Sequence, residues 1–149
     1  MNFFALTSTN YAEFQKKNRE EGEKYKDVLQ ILRDDLLKPI ERFFGAEIKV
    51  LSAFRCEELN RLVGGSPKSE HLKGCAADIL IGGKTCEEAF AVLRSADIKY
   101  GQLILEKSGS SVWLHVSLPW PQRAKELCGQ SFVSENGRAS DFSVRKFYE

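Results

Sequence analysis

Histidine is scarce in this chain: only two stand among its 149 residues, His71 and His115. Net charge is nearly absent as well. At a formal +1 there is no bulk electrostatic case for nucleic acid or a membrane surface as partner. No apolar run approaches the roughly 20 residues that a membrane-spanning helix needs. The N-terminal stretch MNFFALTSTNYAEF has no basic flank, and its apolar cluster is too short for a signal-peptide core, so the expected product is cytoplasmic as synthesised. The four cysteines, at 56, 75, 86 and 128, form no CxxC pair, which excludes zinc-finger and thioredoxin readings. With no other sign of an oxidising compartment, they read as buried free thiols. Internal repeats, low-complexity tracts and interdomain linkers are missing too.

What is present fits one packed domain spanning 1–149. Ten Phe, four Tyr and two Trp favour a real interior over disorder, and the length is sufficient to bury one. N-terminal helices are expected over 9–45. Thr9 to Lys26 is highly charged and reads as a short helix or helices with a solvated face. From Lys26 to Phe44, Val28, Leu29, Ile31, Leu32, Leu36, Ile40, Phe43 and Phe44 recur at three- and four-residue steps, an amphipathic helix. Pro39 should kink or restart it, and Gly45 should stop it.

The motif-bearing core runs from about 47 to 118. Strands are expected near 47–53, 75–81, 100–107 and 111–118, the last two joined as a hairpin by a Ser-Gly-Ser-Ser turn. A short helix is expected from Glu57 to Val63 and a loop from Ser66 to Gly74. Another helix, capped by Thr85, should run to about Ser95 with Ala89, Phe90, Val92 and Leu93 inward. Arg123 to Val133 adds a strand or a short helix, and the tail over 129–149 reads as loose. The fold class is α+β: a small, mainly antiparallel sheet with helices on one face and the site on the other face or at an edge.

The stretch LSAFRCEELNRLVGGSPKSEHLKGCAAD, from Leu51 to Asp78, organises the rest. It holds His71 and, seven residues on, Asp78; the second histidine, His115, closes the apolar run VWLHVS. Asp78 sits among Ala76, Ala77 and Ile79 inside a predicted strand, where a carboxylate is costly unless paired or metal-bound. Two imidazoles and a carboxylate suit zinc better than calcium or magnesium, and three protein ligands leave a position for water. The residues alone leave other readings open: a histidine satisfied in the core, or an aspartate capping the turn at Gly82-Gly83.

The same string resembles the signature of the zinc D-alanyl-D-alanine carboxypeptidase family. That family includes phage L-alanyl-D-glutamate endopeptidases and shares its core fold with the hedgehog signalling domain. Its pattern, S-G-Y-R-S, L-N, G-G, S-x-H-x-x-G-x-A-x-D, a strand bearing Gln and Glu, then W-x-H-V-S, is matched in order from about Val50 to Ser117. The resemblance implies one Zn2+ held by His71, Asp78 and His115. It implies that Arg55 faces the substrate's carboxylate or carbonyl oxygen, where a guanidinium can bond bidentately, and that Ser69 lines the groove. The implied activity is a zinc-dependent peptidase acting on peptidoglycan stem peptides, at D-Ala-D-Ala or L-Ala-D-Glu bonds. A peptide substrate is the expected partner, with no nucleic acid and no membrane, for a chain working as a monomer. A phage-encoded enzyme released to the cell wall through a holin fits the same resemblance.

Hydrolysis also needs a carboxylate to take a proton from water and pass it to the leaving amine. In several branches, including the vancomycin-resistance dipeptidases, a glutamate three residues before the last histidine does this; here that position is Val112. Glu106 is the substitute, alternating with Ile104 and Gln102 on one face of the partner strand, and Gln102 would orient substrate. Ala53 stands for the usual Gly, Phe54 for Tyr, and Cys56 and Cys75 where polar residues are common. Cys75 and Trp113 read as packing. The alternative, to which Val112 points, is a non-catalytic zinc-containing binding or structural module of the same fold.

Overall fold

The computed structural model describes residues 1–148. Helices α1 (Phe3–Thr7), α2 (Gln15–Gly22), α3 (Lys26–Leu32) and α4 (Lys38–Phe44) precede strand β1 (Ile48–Ser52). Then come α5 (Glu57–Leu62), β2 (Ala76–Ile81), α6 (Cys86–Leu93) and the hairpin β3 (Gln102–Ser108) and β4 (Ser111–Ser117). A second hairpin, β5 (Gln130–Glu135) and β6 (Arg138–Val144), closes the chain. No helix among the described residues is long and apolar enough to cross a membrane.

The strands form one six-stranded sheet in the order β1-β2-β4-β3-β5-β6. Every neighbouring pair is antiparallel except β3 with β5. The architecture is therefore the expected α+β, with a mostly antiparallel sheet. Side chains alternate across a pleated sheet, so one face carries Ala77, Ile79, Leu103, Leu105, Leu114 and Val116, all buried in the core shared with the helices. From the helical layer come Leu29, Leu32, Leu36, Leu37, Ile40 and, from α6, Ala89, Phe90 and Leu93. Each fully buried leucine there contributes about 1.5–3 kcal/mol of apolar transfer. The opposite face is left for the site.

Several expectations change. Pro39 does mark a restart, standing in the first turn of α4, which begins one residue earlier at Lys38. A π-helical turn over Arg33–Leu37 comes first, with Lys38 N–H reaching back to the Arg33 carbonyl. A proline ring crowds the carbonyl four residues back, and the widened turn makes room for it while bringing both Leu36 and Leu37 inward. Phe43 and Val92 are exposed rather than inward, because each lies at the edge of its helix's apolar stripe. The Ser66–Gly74 loop contains a 3-10 turn at Glu70–Lys73, whose start Ser69 caps by accepting the His71 N–H. Gly45 does end α4, in the left-handed conformation, and Thr85 does cap α6, its hydroxyl accepting the Glu88 N–H at 3.1 Å.

The largest correction concerns the tail expected to be loose over 129–149. Residues 130–144 are paired strands, outside which only part of that tail lies. β6 is exposed along its whole length, so its sequence carries no core-facing alternation to read. The hairpin is held instead through the main chain of β3 and by Arg94, which donates to Ser131 Oγ and to the Asp141 carboxylate.

Candidate active site and metal centre

The site lies on the sheet face turned away from the main helical layer. Register builds it. Asp78 on β2 pairs with His115 on β4, and His115 pairs in turn with Ile104 on β3. Residues directly paired across strands share a face. Glu106, two residues beyond Ile104, pairs with Trp113 and joins the same face. His71 arrives from the 3-10 turn just before β2 and completes the group.

Asp78 Oδ1 lies 3.3 Å from His71 Nε2 and 3.3 Å from His115 Nδ1. All three ligating atoms fall within 4.8 Å of one another. The rings of His71 and His115 meet edge to face, 5.1 Å between centroids. His71 Nδ1 donates to the Ala53 carbonyl at 2.6 Å, which leaves Nε2 as the lone-pair nitrogen facing Asp78. A neutral imidazole with its other nitrogen tied to a backbone carbonyl is the form that binds metal. The donor set and its outer support fit a zinc ion.

Electrostatics agree with that use. Burial holds His71 below the ordinary imidazole range, against the pull of Asp78. Burial also opposes the charged form of His115, but the Asp78 hydrogen bond and charge outweigh it and raise that group. For Asp78, burial favours the neutral acid, yet the two imidazoles together overcome it and hold the carboxyl well below the usual range. The carboxylate therefore stays ionised between two imidazoles. Cys75, buried behind the site, has its thiol pushed to about 11 by burial and then by Glu70, which suits packing rather than ligation.

A cleft of about 470 Å³ opens over the triad. Arg55, Ser69, Gln102, Glu106, Trp113 and Arg123 line it along with the three candidate ligands. All four sequence-predicted residues outside the triad are thus brought to one cavity. Arg55 Nη2 lies 3.5 Å from Ser69 Oγ, while its Nε is buried with no acceptor. Trp113 is not a core anchor: it lines the cleft, half-buried, with Glu106 as its cross-strand neighbour. Glu106 is raised from its ordinary value, by burial first and by Asp78 next, with His115, Trp113 and Arg55 pulling the other way. A half-buried carboxyl tuned upward is what proton transfer near neutral pH requires.

The sequence reading missed the far wall. Arg123 donates to Glu70 Oε1 at 2.7 Å, to Gln130 Oε1 at 3.2 Å and to the Leu127 carbonyl at 2.7 Å. Gln102 Nε2 donates to the same Gln130 oxygen at 3.3 Å. Arg123 and Gln130 lie in the segment whose pattern was weakest, and only Arg123's place just after Pro119 and Pro121 could have drawn notice.

The residue-by-residue pattern and the geometry point to one family, and the family comparison decides it: the profile described as Peptidase M15 matches residues 7–117. The chain belongs to the peptidase M15 family. No curated protein matches it. M15 peptidases are zinc-dependent, and His71, Asp78 and His115 form a possible metal-binding triad here. The M15 match ends at Ser117, so Arg123 in the far wall, and Gln130 that bonds to it, come from sequence beyond it.

Another residue missed within the M15 stretch is Asn18, wholly buried in α2. Its Nδ2 donates to the Thr7 carbonyl at 2.6 Å and the Phe54 carbonyl at 3.2 Å, and its Oδ1 accepts the Cys56 N–H at 2.8 Å. It thereby grips the backbone on both sides of Arg55, one residue from the carbonyl that orients His71. Asn18→Ala strands three buried polar groups and is expected to cost about 3 kcal/mol, read as a lower urea midpoint at unchanged slope.

Proposed function

We propose that this M15 protein is a zinc-dependent hydrolase that cuts peptide bonds in peptidoglycan stems, at D-Ala-D-Ala or L-Ala-D-Glu. The observation that carries the reading is the convergence of His71 Nε2, Asp78 Oδ1 and His115 Nδ1 at the floor of a cleft that also holds Glu106. In this reading those three residues are the metal ligands. A zinc ion bound there supplies Lewis-acid chemistry, activating a water and polarising the scissile carbonyl.

The chain's own groups do the rest. Glu106 takes the proton of the attacking water and returns it to the leaving amine. Its raised carboxyl pKa makes both directions accessible. Arg55 holds the peptide's carboxylate or carbonyl oxygen, with Ser69 Oγ beside its guanidinium. Partial desolvation strengthens that contact. Gln102, its Nε2 engaged by Gln130, keeps its own amide oxygen for a substrate N–H. The Trp113 indole lines the cleft beside Glu106, its partner on the neighbouring strand.

A second reading, a zinc-containing binding module that does not cleave, is favoured by Val112, which stands where several branches place their glutamate. One experiment separates the two. Purified protein is assayed for bound zinc and then incubated with purified peptidoglycan. Stoichiometric zinc with new free amino and carboxyl termini is the expected result, and the residues at those termini identify the bond cut. Zinc with no new termini selects the binding module, and protein that takes up no zinc refutes both.

A further inference from the structure

The sheet row that carries the triad does not end at the cleft. Asp78 pairs with His115, His115 with Ile104, and Ile104 with Phe132 on β5. The Phe132 ring then stacks on that of Phe142 from β6, 5.8 Å between centroids and 26° between planes. Phe142 is 60% exposed and Val144, on the same strand, 51%. Gln130 and Ser134, two residues either side of Phe132, share its face by strand alternation. Neighbouring strands lie about 4.8 Å apart, so the aromatic pair begins about 10 Å from His115, some three residues of extended chain away.

Resting on the hydrolase reading above, we infer that the β5–β6 hairpin is a distal subsite that takes a pyranose ring of the glycan to which the stem peptide is attached. The chemistry selects this occupant. The bonds at issue join alanine and glutamate, whose side chains offer nothing to fill an aromatic platform. The C–H face of a sugar ring is flat and apolar and fits one. Its edge carries hydroxyl and amide groups, matched by Gln130 and Ser134. The charged residues of the hairpin are drawn elsewhere: Asp141 pairs with Arg94, and Glu135 and Arg138 stand at the turn. A neutral ligand is therefore expected. Gln130, on the platform's face, is bonded to two residues of the cleft wall, Arg123 and Gln102.

Two measurements test it. The first titrates isotope-labelled protein with a soluble β-1,4-linked N-acetylglucosamine tetramer and needs no turnover. Amide shifts confined to 130–135 and 139–144 are expected; no shifts there overturn the subsite whether or not the protein cleaves peptides. The second compares kcat/KM for one stem peptide, free and joined to its disaccharide. The joined substrate is expected to be preferred about tenfold, the size of one good ring contact. In Phe142→Ala that ratio falls to about one, and Phe142→Trp restores it. Since Phe142 is largely exposed, the alanine variant should fold. An unchanged ratio in Phe142→Ala, or a wild-type dimer that the substitution turns into monomer, overturns the proposal. If neither substrate is cut, the hydrolase reading fails while the titration still decides the subsite.

Discussion

Asp78→Ala is expected to leave a folded protein that no longer retains stoichiometric zinc. The carboxylate sits between both imidazoles, 3.3 Å from each, so its loss removes one proposed ligand and the group that orders the other two. Losing an outer partner of a metal ligand typically costs 10–100-fold in affinity, and losing a ligand should exceed about 100-fold. The readout does not depend on activity. Zinc at about 1,000 times its Kd stabilises a protein by about 4 kcal/mol through mass action, so a chelator should lower the wild-type Tm and leave that of Asp78→Ala unmoved. Acid should mimic the chelator. Of the proposed ligands, His115, raised by Asp78, is the one on which protons are expected to compete first as pH falls, and His71, lowered by burial, should resist until later. Zinc affinity measured by chelator competition is therefore expected to be full above the His115 pKa. Below it, affinity should fall about tenfold per pH unit, one proton being displaced per ion, and more steeply once His71 also titrates. A Tm that ignores the chelator in the wild type refutes the metal site.

Glu106→Gln is expected to keep its zinc and lose its turnover. The substitution preserves shape and hydrogen-bonding capacity while removing the proton acceptor, so kcat should drop by about 10²–10⁴ with KM changed little. The pH profile sharpens the test. The acidic limb of kcat/KM should report the raised carboxyl of Glu106, above the ordinary glutamate value, and that limb should vanish from the residual activity of the variant. Burial is the leading cause of the raised value, so opening the cleft should move the limb back toward acid. Residual activity equal to wild type would transfer the base to another group and revive the question that Val112 poses.

How much of this could be read from the sequence follows the physics of each segment. Asp78 was legible because an acid among Ala76, Ala77 and Ile79 is out of place, and His71 and His115 because the chain has no others. The helix from Lys26 was legible by its three- and four-residue steps, though the wide turn before Pro39 was not, since a change of phase leaves no composition signal. Glu106 was placed on the site face by alternation alone, and pairing with Trp113 agrees. The β5–β6 hairpin escaped because its outer strand, β6, is the sheet's edge and is exposed throughout, while β5 buries little beyond Ser131. An edge strand with both faces mostly in water has no pattern to keep. Asn18 escaped for the opposite reason: its bonds go to backbone atoms far along the chain, and nothing local announces them.

The pairing of Asp78 with His115 has a consequence in time. The two residues are brought together only when β4 docks on β2, so a chain emerging from its ribosome holds no complete triad until the residues through Ser117 are out. Metal uptake at the proposed site would then be an event of late folding, and zinc arriving early would find only His71 and Asp78. The same pairing is unforgiving. A slip of one residue between β2 and β4 would put Ala77 or Ile79 opposite His115, and Asp78 opposite a residue of the other face. Colour or fluorescence from a metal substituted during refolding would therefore date the moment at which these two strands find their register.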